Sequence, residues 1–280
     1  MRSDGLSRRA RLYGWASNAL PAAAWFHLYP LYERVIRRRP FHRFKARRVQ
    51  GHTWRLEFED GQSLHIASPQ RLARYQEGVT SVLAAMRHKY VDPTWDLSGD
   101  KVVLDVGANI GEFSLALLRD NPGLRLYCFE PDPAVIPALQ LNLGNEWNTR
   151  ILQVALGEEE GETTFFVSSA DADSSLIRPE RIEGEIEVRQ RRLDAICNET
   201  QLPHITLLKI DAEGWEPEVL RGAQAALERV EYVAVDAGPE RHGESTVPEV
   251  LSILTAAGFS CRVGPLQLPV VLGERSSSRG

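Results

Sequence analysis

Two short stretches of this 280-residue chain hold residue types that can do chemistry together. The first is Asp105-Val-Gly-Ala-Asn-Ile-Gly111, where the apolar run Val102–Val106 breaks into a turn carrying Gly107, Asn109 and Gly111. Glycines at such a turn let the backbone approach a nucleotide closely, and the apolar-periodic segment Phe113–Leu118 predicts a helix opening onto it. A second apolar run, Leu124–Phe129, ends in Glu130-Pro131 and puts a carboxylate where a ribose hydroxyl pair is met. The other stretch is Leu207-Leu-Lys-Ile-Asp-Ala-Glu-Gly-Trp-Glu-Pro-Glu218, whose strand-like start delivers Asp211 and Glu213 to a carboxyl end. Ligands of wound α/β sheets bind in the crevice outside those ends. Two carboxylates entering one crevice hold their pKa values apart, which leaves one able to take a proton. The competing assignment is structural: Glu213 caps the next helix and Asp211 orders the loop.

Asp105 selects among nucleotide ligands. It stands where a dinucleotide pyrophosphate would lie and repels phosphate, yet it suits a ligand carrying an ammonium and a sulfonium. The expected cofactor is therefore S-adenosylmethionine. Asp105, Gly107, Asn109 and Gly111 are expected at its methionine part, Glu130 and Pro131 at its ribose, and the backbone near Val154 and Ala155 beside its adenine. Methyl transfer to an alcohol needs alignment, and a base for a high-pKa proton. Asp211 or Glu213 is the expected base, and Lys209 either stabilises the developing alkoxide or lies buried with its head on a carboxylate. His242, in the loop after the fifth strand, titrates near neutral pH and is a further candidate base, set against the role of a solvated bystander. No metal is expected; Asp211, Glu213 and Asp236 offer oxygens that suit Mg²⁺, but nothing in their spacing requires it.

The elements that position these residues can be read from pattern. Strands are expected at 102–106, 124–129, 151–155, 205–210 and 232–235, with helices at 112–120, 133–146, 216–228 and 246–257. That alternation indicates an α/β fold with a doubly wound parallel sheet. Extra strands at 163–167 and 186–192 form a β insertion between the third and fourth strands, around the serine-bearing loop Ser168–Ser175. Ahead of the sheet, Thr53–Ile66 alternates apolar and polar residues around Asp60-Gly61 and predicts a β-hairpin, followed by a helix at 71–90. The expected organisation is a basic, aromatic extension with hairpin and helix at 1–99, the main domain at 100–265, and a C-terminal strand with a polar tail at 266–280.

Composition, 43% apolar and 25% charged, allows one sizeable core with appendages. Charge is uneven: residues 1–48 hold twelve Arg and Lys against Asp4 and Glu33, and the rest holds 21 basic against 36 acidic residues. The main body is thus no nucleic-acid binder by charge. The first segment either packs its aromatics on the main domain or makes peripheral contact with an anionic membrane face. Three scattered cysteines form neither a disulfide framework nor a CxxC pair, and a reducing cytoplasmic setting is expected. No apolar run is long enough to span a bilayer, and no signal peptide is read.

Taken together, the chain resembles the FkbM family of S-adenosylmethionine-dependent methyltransferases. The resemblance rests on Asp105-Val-Gly-Ala-Asn-Ile-Gly111, Phe129-Glu-Pro-Asp-Pro133, Asn142, Ala155-Leu-Gly157, Gly161, Ser174-Ser-Leu176, Leu193-Asp194, Leu208-Lys-Ile-Asp-Ala-Glu-Gly214 and Val219-Leu-Arg-Gly-Ala223. It covers about residues 100–262. It implies a Rossmann-like methyltransferase domain that usually methylates an oxygen, often of a sugar or polyketide, so a small-molecule or glycan acceptor is the expected partner. The chain departs from the family pattern after the fifth strand, where Asp236 replaces a common glutamate. Two other functions are weighed: an NAD-dependent oxidoreductase, which Asp105 and the missing third glycine disfavour, and a membrane-recruited, non-catalytic scaffold, against which the intact carboxylates stand.

Overall fold

A computed structural model describes residues 22–35, 38, 41–144, 147–167, 174–178, 182, 184–202, 204–241, 243–265 and 269–276. The chain divides into two compact units, 1–82 and 83–280.

In the first unit, helix α1 (Ala22–Val35) accompanies a three-stranded antiparallel sheet of β1 (Phe44–Gln50), β2 (Thr53–Phe58) and β3 (Ser63–Ile66). The expected hairpin is β2–β3, and Asp60 closes its turn by accepting from Gln62 N at 3.0 Å. β1 escapes a reading by pattern because the alternation of Phe44-Lys45-Ala46-Arg47 breaks off at Arg48. Its register is nevertheless definite, with Phe44 opposite Phe58 and Ala46 opposite Leu56. The aromatics of this region form a core inside the unit itself: Phe26 lies 4.7 Å from Trp54 and Phe44 5.8 Å from Phe58, ring to ring. The helix expected at 71–90 is in fact two pieces. A 3₁₀ segment, Pro69–Tyr75, starts at Ser68, whose hydroxyl caps Gln70 N. Gly78, at φ +83°, then turns the chain into α2 (Val79–Tyr90).

The second unit is built on a seven-stranded sheet. Its strands in chain order are β4 (Val102–Val106), β5 (Arg125–Phe129), β6 (Thr149–Leu152), β10 (Ile205–Ile210), β11 (Val230–Asp236), β12 (Phe259–Val263) and β13 (Val270–Arg275). The spatial order is β12-β13-β11-β10-β4-β5-β6. All pairs from β11 to β6 are parallel, while β13 enters antiparallel between β11 and β12. β4 and β10 are neighbours with their successors on opposite sides, so the topological switch point lies between them. Alternation along β4 decides what each face buries. Val102, Leu104 and Val106 enter one apolar cluster with α5 (Leu193–Glu199), α6 (Glu216–Arg221), α7 (Gln224–Leu227) and α8 (Val247–Ala256). Val103 enters the other with α3 (Glu112–Asp120) and α4 (Ile136–Leu143). Helices on both faces of a mostly parallel sheet make the fold α/β and Rossmann-like, as expected.

Three local expectations need correction. The strand expected at 151–155 is two strands, because Val154 N turns back to Leu152 O at 3.0 Å. β6 ends there, and β7 (Ala155–Leu156) joins a separate sheet with β8 (Gly161–Val167) and β9 (Gly184–Arg191), which is the β insertion. The helix expected at 216–228 breaks at Gly222, where a Cβ would lie 1.9 Å from Gly157 O. β12 was not foreseen at all, since Phe259-Ser-Cys-Arg-Val263 shows neither a continuous nor a cleanly alternating apolar pattern.

Candidate active site

The glycine turn sits directly on the second cluster. Gly107 has φ +69°, and a Cβ there would stand 1.9 Å from Asp211 O. Asp211 N in turn donates to Val106 O at 3.1 Å. Backbone contact this close requires glycine, and it makes the two predicted clusters one crevice at the carboxyl ends of β4 and β10. Gly111, at φ +89°, allows the turn to pass Leu143 and Leu139, whose methyl carbons a Cβ would meet at 2.8 and 3.0 Å. Asn109 is also left-handed, at φ +49°, and its Oδ1 accepts from Ile110 N at 2.8 Å. Asn142 holds the same turn from α4, donating Nδ2 to Ile110 O at 2.8 Å.

Glu130 closes the turn from β5. Its Oε2 accepts from Asn109 N at 2.8 Å and its Oε1 from Asp132 N at 2.9 Å. Burial pushes its carboxyl up to about 7, although the two backbone donors favour the ionised form. Pro131 follows it, partly buried. Ala155 is buried in β7 beside Phe165 and Val188, in a small apolar cluster.

Behind the turn lies a buried ion pair. Asp105 and Lys209 are opposite one another in the β4–β10 register, and neither has appreciable exposure. Lys209 Nζ lies 3.0 Å from Asp105 Oδ1 and donates to Val106 O and Gly107 O, each at 3.0 Å. Two of the ammonium's three donors go to these carbonyls, and its charge faces the Asp105 carboxylate. Ser114, on α3, donates to Asp105 Oδ2 at 2.7 Å. Burial works against the charge of Lys209, but Asp105, Asp211 and Asp236 outweigh it and raise its pKa above the ordinary lysine value.

Asp211 and Glu213 lie in a loop fixed at nearly every backbone group. Glu216 Oε1 accepts from Ala212 N and Gly214 N, at 3.2 and 2.8 Å, and its Oε2 accepts from Thr246 Oγ1 at 3.0 Å. Burial pushes the Glu216 carboxyl up to about 7, with the Asp211 charge adding to it. Ser175 Oγ donates to Glu213 O at 2.7 Å, and the Arg241 guanidinium donates to Gly214 O at 2.7 and 3.0 Å. Glu213 itself is left-handed, at φ +50°. For a residue with a Cβ such a conformation costs on the order of 1–3 kcal/mol, and it survives where the surroundings dictate it. Tyr90, from α2, donates to Asp211 Oδ2 at 2.7 Å. His242 lies outside the described residues. Among the described residues no group of three or more His, Cys, Asp or Glu side chains is arranged to hold a metal ion.

The family model described as the methyltransferase FkbM domain matches residues 105–261, from the carboxylate closing β4 into β12. The chain belongs to the FkbM methyltransferase family. It is 28% identical over 204 residues to the 2-O-methyltransferase NoeI of Sinorhizobium fredii, covering 67% of this chain and 84% of that one. It is 29% identical over 197 residues to the 31-O-demethyl-FK506 methyltransferase FkbM of Streptomyces tacrolimicus, covering 59% and 75%. To the hexuronic acid methyltransferase AglP of Haloferax volcanii it is 28% identical over 181 residues, covering 64% and 72%. Membership makes this FkbM-family protein a methyltransferase rather than an NAD oxidoreductase.

The FkbM domain also brings together residues that the sequence did not single out. In the sequence, Glu216 only opens the helix expected at 216–228, and Ser175 only ends the loop Ser168–Ser175. Tyr90 and Lys89 lie before the matched region, on a helix with no motif. The signal for Lys209–Asp105 was present: two charges in apolar strands, on matching faces of adjacent strands, have to find each other.

Proposed function

We propose that this FkbM-family protein transfers a methyl group from S-adenosylmethionine to a hydroxyl of a sugar, polysaccharide or natural-product acceptor. The observation that carries the reading is the contact of Gly107 with Asp211 O, which sets a donor turn and a candidate base side by side. The residues present suit the donor: two left-handed glycines open a backbone cradle, and Glu130 offers carboxylate oxygens at the end of β5. When bound, S-adenosylmethionine supplies an electrophilic methyl group and leaves as the thioether. The chain's own work is positional and acid–base. Gly107, Asn109 and Gly111 shape the turn, Glu130 accepts from ribose hydroxyls with Pro131 beside it, and Ala155 backs the adenine.

Asp211 takes the acceptor's hydroxyl proton as the new oxygen–carbon bond forms, with Glu213 the alternate base. Lys209, which donates to two carbonyls and faces Asp105 with its charge, is best assigned to holding the turn rather than to an alkoxide. Asp105 acts with it, anchoring Lys209 from a position without solvent exposure. His242 keeps only the sequence argument. The acceptor class rests on the relatives, whose names specify a 2-O-methyltransferase, a demethyl-FK506 and a hexuronic acid.

The same reading places the protein in the cytoplasm, on account of its three free cysteines. No helix among the described residues is long and apolar enough to cross a membrane. Contact of residues 1–48 with the inner membrane face draws support from Leu28, Leu31 and Val35, exposed along α1, and from exposed Lys45, Arg47 and Arg48. Trp25, Phe26 and Tyr29 are buried and have no rings to offer a headgroup layer. Co-sedimentation with anionic liposomes, with and without residues 1–48, decides this point.

The test of function is methyl transfer from labelled S-adenosylmethionine into a pool of polysaccharide and small hydroxylated natural products, followed by mass analysis. An O-methyl ether is expected, formed far more slowly by Asp211→Asn. Label on nitrogen or carbon, or full transfer by both Asp211→Asn and Glu213→Gln, overturns the reading.

A further inference from the structure

We propose that Tyr90 and Lys89, the last two residues of α2, are positioning residues of the acceptor half, holding Asp211 in place and in its ionised form. The inference rests on the assignment of Asp211 as base, and it gives a role to a helix that precedes the family-matched region. Tyr90 has no exposed surface, and its hydroxyl lies 2.7 Å from Asp211 Oδ2 and 3.2 Å from Asp236 Oδ2. A phenol has one proton and gives it to one carboxylate at a time. Lys89 Nζ pairs with that same Asp236 oxygen. Asp236 therefore already has a cation, and the phenol proton goes to the nearer Asp211.

The ring is fixed on every side that matters. It stands edge-on to Phe113 at 5.5 Å between centroids, with Lys89 Nζ and Lys209 Nζ at 4.7 and 5.3 Å from its own centroid. Burial, and then the charges of Asp211 and Asp236, raise the Tyr90 pKa well above its ordinary value, so it remains an O–H donor. A donor to a carboxylate favours the ionised carboxylate. That help is needed in this crevice. Lys209 Nζ stands 3.9 Å from Asp211 Oδ2, but Asp236 shares the Tyr90 hydroxyl, the Glu216 and Glu240 carboxyls are close enough to be raised by the Asp211 charge, and Asp105 is next to Lys209. Tyr90 and the two lysines oppose protonation of Asp211.

The effect can be read without an acceptor. Protein carrying ¹³C in its aspartate carboxyl carbons is titrated by NMR, the Asp211 signal being assigned by its loss in Asp211→Asn. In Tyr90→Phe the Asp211 midpoint is expected to rise by about one pH unit, the usual scale for a lost hydrogen bond to a charge. In Lys89→Met it is expected to rise by less, since Lys89 acts through Asp236. An unmoved midpoint in a folded Tyr90→Phe overturns the proposal and leaves Tyr90 a packing residue. If Tyr90→Phe does not fold, the Lys89→Met midpoint decides in the same way. The base assignment fails separately: full methyl transfer by Asp211→Asn sinks it whatever the midpoints do, whereas an inactive Asp211→Asn with unmoved midpoints sinks only the role of Tyr90 and Lys89.

Discussion

Lys209 and Asp105 face each other across adjacent parallel strands and meet as a buried ion pair, Nζ 3.0 Å from Oδ1. The pair does structural work for the glycine turn, because the same ammonium ties down the carbonyls of Val106 and Gly107. Removing one partner strands a charge in the interior and costs about 3–5 kcal/mol. Lys209→Met should therefore lower unfolding stability by that amount in urea titration. The double variant Lys209→Met with Asp105→Leu should recover most of it, since an apolar pair of similar volume is often no worse than a buried ion pair. Because the Lys209 pKa is raised in the folded state, its stabilisation is full below the ordinary lysine value. It is lost only as pH rises through the raised folded value, so near neutral pH the contribution is complete and does not vary with pH.

Gly107→Ala places a methyl group 1.9 Å from Asp211 O at a left-handed backbone position. Neither partner can move aside, as both are backbone. The variant should lose at least ~2 kcal/mol of stability and bind S-adenosylmethionine at least tenfold more weakly. Thermal unfolding and calorimetry read the two effects separately. Wild-type values for both would show that the turn and the Asp211 loop do not touch.

If Glu130 meets the donor's ribose as proposed, donor binding is expected to depend on pH. The Glu130 carboxyl is pushed up to about 7, chiefly by burial, and ribose hydroxyls donate best to the ionised form. Affinity for S-adenosylmethionine should rise through neutral pH, being about tenfold weaker at pH 6 than at pH 8. Stability runs the other way. Glu130 and Glu216 both hold a proton in the folded state well above the ordinary carboxylate value. The contribution of these protonated groups is full below about pH 4.5 and falls as pH rises toward 7. Calorimetry between pH 6 and 8 that shows a flat affinity would remove Glu130 from the ribose.

Glu216 holds the 211–214 loop from inside. Glu216→Ala frees Ala212 N and Gly214 N and should lower the rate of transfer on the order of 100-fold while leaving donor affinity unchanged, as a small misplacement of a base does. Glu216→Gln keeps a carbonyl oxygen for those two donors and should retain most of the rate. Equal losses in the two variants would mean that its charge, not its hydrogen bonds, matters.

The sheet was legible because its strands are continuous apolar runs bounded by turns. Val102–Val106 and Ile205–Ile210 agree with their expected limits to the residue. What escaped was decided by backbone contacts, one distant in sequence and one local. The break at Gly222 depends on Gly157, and the separation of β7 from β6 depends on a local backbone turn that no side-chain pattern records. At the site, the glycines and Glu130 announced themselves by spacing. Tyr90 could not, because an aromatic at the end of an apolar helix reads as core, and only the third dimension brings Asp211 and Asp236 to its hydroxyl.

The claim beneath all of these is that the Asp105–Gly111 turn and Glu130 hold a methyl donor. Calorimetric titration of the purified protein with S-adenosylmethionine, and in parallel with NADH, tests it most directly. Saturable binding of one S-adenosylmethionine per chain with no heat from NADH is the result expected. Tight NADH binding by folded protein that takes up no S-adenosylmethionine would contradict the account.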